Sequence, residues 1–164
     1  MRKVEFEPFA LGIEADIFAI KYSDEKETEV RKFLIMYKDV ELLKVKNDFK
    51  TIYLTLENIL TKGALESYFR NEGKMEDRVC AIPVFSSRLG RNTNRGTLRL
   101  YCIRVSEKLL ILGGGGEKFT RTYQEDNTLK FHVESLQSID RKLRELEHLG
   151  VELETELCNL NLEI

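Results

Sequence analysis

Proline, histidine and paired cysteine are all scarce in this chain of 164 residues. Two prolines and ten glycines, beside 42% hydrophobic and 33% charged residues, exclude a collagen-like or low-complexity chain and leave a globular one. The length suits a single domain with a real core. The two histidines, His132 and His148, both fall on the last helical stretch with no partner nearby in sequence, so they read as surface or boundary residues. No Ser/His/Asp set can be assembled around them. The cysteines Cys80, Cys102 and Cys158 are odd in number and far apart, whereas a disulfide framework shows an even count and zinc needs clustered ligands. The expectation is therefore no disulfide and no metal, with Cys80 and Cys102 as buried thiols in apolar runs. Long apolar runs are missing too: none approaches the roughly 20 residues of a membrane helix. The opening Met1-Arg2-Lys3-Val4-Glu5 lacks a signal peptide's apolar stretch. A cytoplasmic protein with no membrane partner is expected.

One further absence is local. From Arg78 through Ser106 there is no acidic residue, yet six arginines occur there: Arg78, Arg88, Arg91, Arg95, Arg99 and Arg104. Residues 78–126 carry nine basic and four acidic side chains, against a net −2 for the whole chain. Arginine without lysine suits planar, bidentate recognition of phosphate or carboxylate. A solvated loop between strands is the plainer reading of the arginines in its polar middle.

Hydrophobic spacing orders the elements. Val4 to Tyr22 supplies one or two strands. Val30, Phe33, Leu34 and Tyr37 recur as one face of a helix. Phe49, Ile52, Tyr53, Leu56, Ile59 and Leu60 mark a second helix, with Asn47 or Asp48 as its cap and Gly63 at its end. Leu65, Tyr68 and Phe69 suggest a short third helix ending before Gly73, so that residues 48–72 form a helical hairpin whose aromatic stripe is core. Residues 79–85 read as a strand that Pro83 places at an edge or an end. Residues 86–96 are loop. Leu98–Val105 and Lys108–Leu112 form a hairpin turning at Ser106-Glu107. Leu129, Val133, Leu136, Ile139, Leu143, Leu146 and Leu149 define a long helix over 128–149, stopped by Gly150. The acidic, leucine-rich tail 151–164 has no decided structure. The expected class is α+β, an antiparallel sheet with packed helices.

Four glycines, Gly113 to Gly116, end the second hairpin strand in this reading. They do not make a phosphate loop: Glu117-Lys118-Phe119 follows, and no helix opens directly behind them. No dinucleotide βαβ unit surrounds them either, so no cofactor is expected. A bulge, or a bend where backbone passes close to another element, explains them better.

The residues left to carry chemistry are Arg99 and Arg104 on one strand and Lys118, Arg121 and Tyr123 after the next. If the two strands pair, Arg99 and Lys118 meet at one edge of the sheet. Cations there would stabilise charge developing on a phosphate, and a tyrosine would orient a nucleotide. The plainer reading makes them ordinary cations of a solvent face.

The order of elements around Leu98-Arg99-Leu100-Tyr101-Cys102-Ile103-Arg104, Leu109-Leu110-Ile111-Leu112-Gly113 and Glu117-Lys118-Phe119-Thr120-Arg121 resembles the RelE/HigB-type toxins of bacterial toxin–antitoxin pairs. The likeness spans residues of about 64–146. It divides the chain into an N-terminal extension at 1–62, a RelE-like core at 63–150 and the tail at 151–164. The resemblance implies a metal-independent endoribonuclease that cleaves mRNA on the ribosome and pairs with an antitoxin protein. Carried over, Arg99 looks like the strand arginine that stabilises the transition-state phosphate. Lys118 would serve acid–base work or phosphate binding, Arg121 would share the phosphate, and Tyr123 would stack near the cleaved nucleotide. Arg88, Arg91, Arg95 and Arg104 would grip the RNA backbone. The chain departs from the family in its long N-terminal part, its slight net acidity and its glycine run. Competing readings are a non-catalytic nucleic-acid- or protein-binding module, including one that poisons gyrase by binding, and a structural protein of a phage or mobile element.

Overall fold

The structure is a computed structural model that describes residues 1–72, 77–83, 97–118 and 123–164. Seven strands form one mostly antiparallel sheet in the order β3-β4-β5-β6-β2-β1-β7, with helices on both faces. The strands are β1 (Lys3–Leu11), β2 (Asp16–Tyr22), β3 (Arg70–Asn71), β4 (Val79–Ile82), β5 (Thr97–Ser106), β6 (Leu109–Lys118) and β7 (Asn161–Glu163). The helices are α1 (Glu29–Tyr37), α2 (Leu43–Lys62), α3 (Asn127–His148) and the single turn α4 (Leu153–Glu156). The α+β class is as expected. Among the described residues no helix is long and apolar enough to cross a membrane.

Alternation along the strands creates two cores. Phe18 and Ile20 of β2, Tyr101 and Ile103 of β5, and Leu109 and Ile111 of β6 face α3. Ile17 and Ala19, Leu98, Leu100 and Cys102, and Leu110 and Leu112 face α1 and α2. The apolar stripe of α3, from Leu129 to Leu143, is buried on the first face as its spacing requires, and Asp126 caps the helix by accepting from the N–H groups of Thr128 and Leu129.

Residues 1–62 supply β1, β2, α1 and α2, and β2 lies inside the sheet between β6 and β1. Its pairing with β6 is the parallel one, Asp16–Ala19 against Leu109–Leu112. The tail is ordered as well: β7 pairs antiparallel with β1, and Ile164 exchanges backbone hydrogen bonds with Arg2.

Five expectations need correction. Helix α2 begins at Leu43, so neither Asn47 nor Asp48 is its cap. Asp48 is buried inside the helix, and its carboxylate accepts the backbone N–H of Leu98 at 3.0 Å, tying α2 to β5. The stripe of α2 is not all core, because Tyr53 is half exposed. No third helix follows; Gly63, at φ 98°, releases the chain into a 3-10 turn at Glu66–Tyr68 and then the short strand β3. The hairpin turns at residues 107–108, one position later than expected, and β6 does not stop at the glycines but runs through them to Lys118. Gly73, Val84, Phe85 and the loop 86–96 lie outside the described residues.

The glycines do form a bulge. Leu100 pairs with Gly115 and Cys102 with Leu112, so two residues on β5 span three on β6. A Cβ on Gly113 would come within 2.9 Å of Leu136, and one on Gly114 within 2.5 Å of the His132 ring. At Gly115 it would lie 1.9 Å from the Arg99 carbonyl oxygen. Gly115→Ala therefore cannot be absorbed by a side-chain shift. It should cost at least about 1–3 kcal/mol, more than Gly114→Ala, whereas Gly116→Ala should be nearly neutral. Urea unfolding of the three variants checks this order, and a neutral Gly115→Ala would remove the close approach from the explanation.

Because Gly114 lets the imidazole settle against the sheet, His132 is mostly buried, and burial, followed by the nearby Lys32 charge, depresses its pKa to about 4. The unfolded chain holds its histidine near 6.5 and so binds the proton first. Stability from this residue is then complete above about pH 6.5 and is lost as pH falls toward about 4. A gap of roughly 2.5 units corresponds to about 3 kcal/mol. Unfolding free energies at a series of pH values should show this loss in wild type and a flatter profile in His132→Gln; parallel profiles would refute the assignment.

Candidate functional site

The bulge and the register of the β5–β6 hairpin set the site. Arg99 pairs with Gly116 and Thr97 with Lys118, which places Arg99 and Lys118 diagonally on adjacent strands and on one face. Around them gather Tyr101 of β5, Arg70 of β3, Glu72 just beyond it, and Tyr123 at the head of the 3-10 turn Tyr123–Glu125. The short β3 is carried into place by pairing with β4, and the Glu72 N–H donates to the Val79 carbonyl at 3.1 Å.

These groups are not a solvent face. Arg99 is 0% exposed and Lys118 only 3%. The Arg99 guanidinium donates from Nη1 to the carbonyl of Leu98 at 3.0 Å, but its Nε and Nη2 have no hydrogen-bond partner among the described residues. Among the described residues, Glu72 Oε1 and the Tyr101 hydroxyl are likewise buried without one, with Arg70 Nε 3.9 Å from that carboxylate oxygen. Buried polar groups are almost always hydrogen-bonded, so a cluster of orphans calls for an explanation. Among the described residues, Glu72 is the carboxylate whose charge acts on Arg70, Arg99 and Lys118 alike, with Asp48 acting besides on Arg99 and Glu125 on Lys118.

The protonation preferences follow. Burial raises the Glu72 pKa, opposed by the charges of Lys118, Arg70 and Arg99. Burial lowers the Lys118 pKa, opposed in part by Glu72. The Tyr101 hydroxyl is pushed up, mainly by burial and next by Glu72, and stays neutral. An anion with several acceptor oxygens would satisfy the free guanidinium N–H groups.

Tyr123 is buried against α3, where Gln137 hydrogen-bonds to it and also donates to Asp77 at 3.1 Å. Arg104 is turned inward: its Nε donates to the Ala64 carbonyl at 2.6 Å, and Glu66 lies 3.9 Å from its Nη1. Arg78 is bound to Asp140 and Glu147 of α3. The described arginines of the acid-free run thus point into the molecule, whereas a sequence reading assigns them to an exposed surface. Arg88, Arg91, Arg95 and Arg121 lie outside the described residues. Sequence reasoning missed Glu72, Tyr101 and Arg70. Tyr101 lies two residues from Arg99 on the same strand, so alternation alone puts it on the same face; nothing in spacing links Arg70 and Glu72 to Arg99, and only the pairing of β3 through β4 to β5 does.

Cys80 and Cys102 sit directly opposite each other on β4 and β5, buried and free, with sulfurs 3.6 Å apart. Burial and the neighbouring thiol push the Cys102 pKa up, which suits inert core residues. Cys158 is exposed. Among the described residues, no three His, Cys, Asp or Glu side chains gather closely enough to hold a metal ion. Compared with protein-family models, curated proteins and solved structures, the chain matches none.

Proposed function

We propose that the protein binds RNA through a phosphate held at the Arg99 cluster and cleaves it without a metal, as an endoribonuclease of the toxin kind acting on ribosome-bound mRNA. The observation that carries this reading is that Nε and Nη2 of the buried Arg99 guanidinium, beside Lys118, have no partner among the described residues. A buried cation kept unsatisfied lowers stability, and such cost is concentrated where a ligand or a transition state makes use of it. Arg99 would donate to the non-bridging oxygens of the phosphate, most strongly as they gain charge in the pentavalent transition state.

The acid–base work divides between the two groups of shifted pKa. Glu72, as carboxylate, takes the proton from a 2′-hydroxyl as its oxygen bonds to phosphorus. Lys118, as ammonium, gives a proton to the departing 5′-oxygen. The products are a 2′,3′-cyclic phosphate and a free 5′-hydroxyl, and no electron acceptor or metal enters the balance. Tyr101 supplies a neutral hydroxyl donor, and Tyr123 borders the site. Since Arg99 has no exposed surface, RNA reaches it only as the residues around it open, so binding and opening are coupled.

Full burial equally favours a second reading, a module that captures an anionic partner, including an antitoxin's acidic segment, without chemistry. Incubation of the protein with translating ribosomes separates the two: cleaved mRNA ending in cyclic phosphate supports the first, and salt-sensitive association without products leaves the second.

A further inference from the structure

Of the four glycines in β6, packing accounts for three. A Cβ at position 116 would meet only Leu129 at 3.5 Å and the Tyr37 hydroxyl at 3.6 Å, which is ordinary contact. The φ at Gly116 is not of the left-handed kind that favours glycine. What Gly116 borders is a cavity of about 400 Å³.

The sheet creates this cavity. β2 and β6 pair in parallel only as far as Ala19 and Leu112, and β6 then continues for six residues paired with β5 alone. Helix α1 on one side and the first turns of α3 on the other wall the space beside its last residues. The position, beyond the point where parallel strands part at their carboxyl ends, is one where open sheets commonly bind ligands. Phe33, Met36 and Leu129 supply an apolar wall, and the backbone of Gly115 and Gly116 lines the floor.

The polar lining selects a charge. Among the described residues, Glu29, Glu117 and Asp126 border the cavity against one cation, Lys32, which is held by Glu25 and Glu29. The N-terminus of α3, which would otherwise attract an anion, is closed by Asp126. Tyr37 accepts the Glu117 backbone N–H at 3.3 Å. The charges of Glu117 and Asp126 both act on the Tyr37 hydroxyl, adding to the upward shift that burial causes, so the two carboxylates converge on it. The His132 imidazole is neutral near pH 7 and leaves the negative balance unaltered.

We infer that the cavity between α1, the Gly115–Glu117 segment of β6 and the start of α3 binds a small organic cation, an amine carried on an apolar body. The ammonium lies between Glu117 and Asp126, and the body lies on Phe33, Met36 and Leu129 over Gly116. None of the described residues that line the cavity belongs to the Arg99 cluster, so the inference does not depend on that cluster's function.

Phenethylamine is a suitable probe, titrated into the full chain and followed by amide NMR shifts at Gly115 and Gly116 and by thermal unfolding. It should shift both amides and raise the unfolding temperature. Glu117→Gln should weaken it about tenfold, the scale of one charge-assisted hydrogen bond. Gly116→Leu should abolish binding by filling the floor. Should Gly116→Leu fail to fold, Gly116→Ala, whose Cβ meets only ordinary contacts, should still weaken binding while unfolding like wild type. 3-Phenylpropionate, with the same body and the opposite charge, should not bind. The inference is overturned by an absence of shifts up to about 10 mM phenethylamine, by equal binding of the carboxylate, or by unchanged affinity in both Glu117→Gln and Gly116→Ala. Tighter binding of an Ala-Lys-Ala peptide than of phenethylamine would also overturn it, moving the occupant from a free amine to a protein side chain.

Discussion

Asp140→Ala should cost the fold about 3–5 kcal/mol, the usual penalty for removing one partner of a buried ion pair. Asp140 is 1% exposed on the inner side of α3. Its carboxylate accepts the Arg78 backbone N–H at 3.0 Å, Arg78 Nε at 2.7 Å and Arg144 Nε at 3.1 Å. Arg78 also donates from Nη2 to Glu147 at 2.7 Å. One side chain therefore fastens α3 to the residue that enters β4, across 62 positions of sequence. Truncation leaves the Arg78 Nε and backbone N–H without their acceptor, with Glu147 alone still holding the mostly buried guanidinium, which is the costly case. Glu147→Ala, removing a more exposed partner, should cost less, and Glu134→Ala, whose pair with Lys130 spans 4.0 Å at the surface, should cost less than about 0.5 kcal/mol. With total stabilities commonly about 5–15 kcal/mol, the Asp140 variant should be unfolded at urea concentrations where wild type is intact. Urea titrations of Asp140→Ala, Arg78→Ala and the double variant measure the coupling; a loss below about 1 kcal/mol for Asp140→Ala would reject this account.

How legible these features were depends on the range over which their causes act. The α3 stripe from Leu129 to Leu143 and the alternation of Leu98 to Val105 are local patterns, and the structure follows them. The glycine bulge was also legible, since a run of four glycines after a strand has few uses besides close approach. The turn at Gly63 was visible, but the element after it was not: Leu65, Tyr68 and Phe69 have helical spacing, while pairing with β4 draws Arg70 and Asn71 into a strand. Asp48 resembles a cap by residue type, and only the long-range bond to Leu98 reveals its place within the helix. The parallel pairing of β2 with β6 joins segments some 90 residues apart, beyond any periodicity. The site was half legible for the same reason. Arg99 and Lys118 share a hairpin and could be brought together from sequence. Their burial could not, because arginine and lysine are rarely fully buried and a sequence gives no hint of what covers them. Glu72 joins them solely through tertiary pairing.

The largest functional effect should come from Arg99→Met, and its sign should oppose the effect on stability. Methionine fills much of the same volume without charge, and the orphaned Nε and Nη2 donors disappear with the guanidinium. Replacement of a poorly satisfied buried charge by an apolar side chain is often neutral or stabilising, by up to about 1–4 kcal/mol. The same change removes the donor expected to bind developing charge on phosphate, so mRNA cleavage by translating ribosomes should fall about 10²–10³-fold. Turnover should suffer more than affinity, because the lost contact strengthens in the transition state. Glu72→Gln and Lys118→Met should each remove one limb of the pH profile. In the proposed cleavage Glu72 would work as carboxylate above its raised pKa and Lys118 as ammonium below its lowered one, so wild type should be active only in the window between. EDTA should leave the rate unchanged if Glu72 and Lys118 carry the proton transfers. The outcomes separate cleanly. An Arg99→Met protein that is destabilised by more than about 1 kcal/mol makes Arg99 a structural residue and removes the argument from its unsatisfied donors. A stable variant that cuts as fast as wild type takes Arg99 out of the reaction. Wild-type protein that binds RNA but yields no cyclic phosphate ends the nuclease reading and leaves the cluster as a binding site alone.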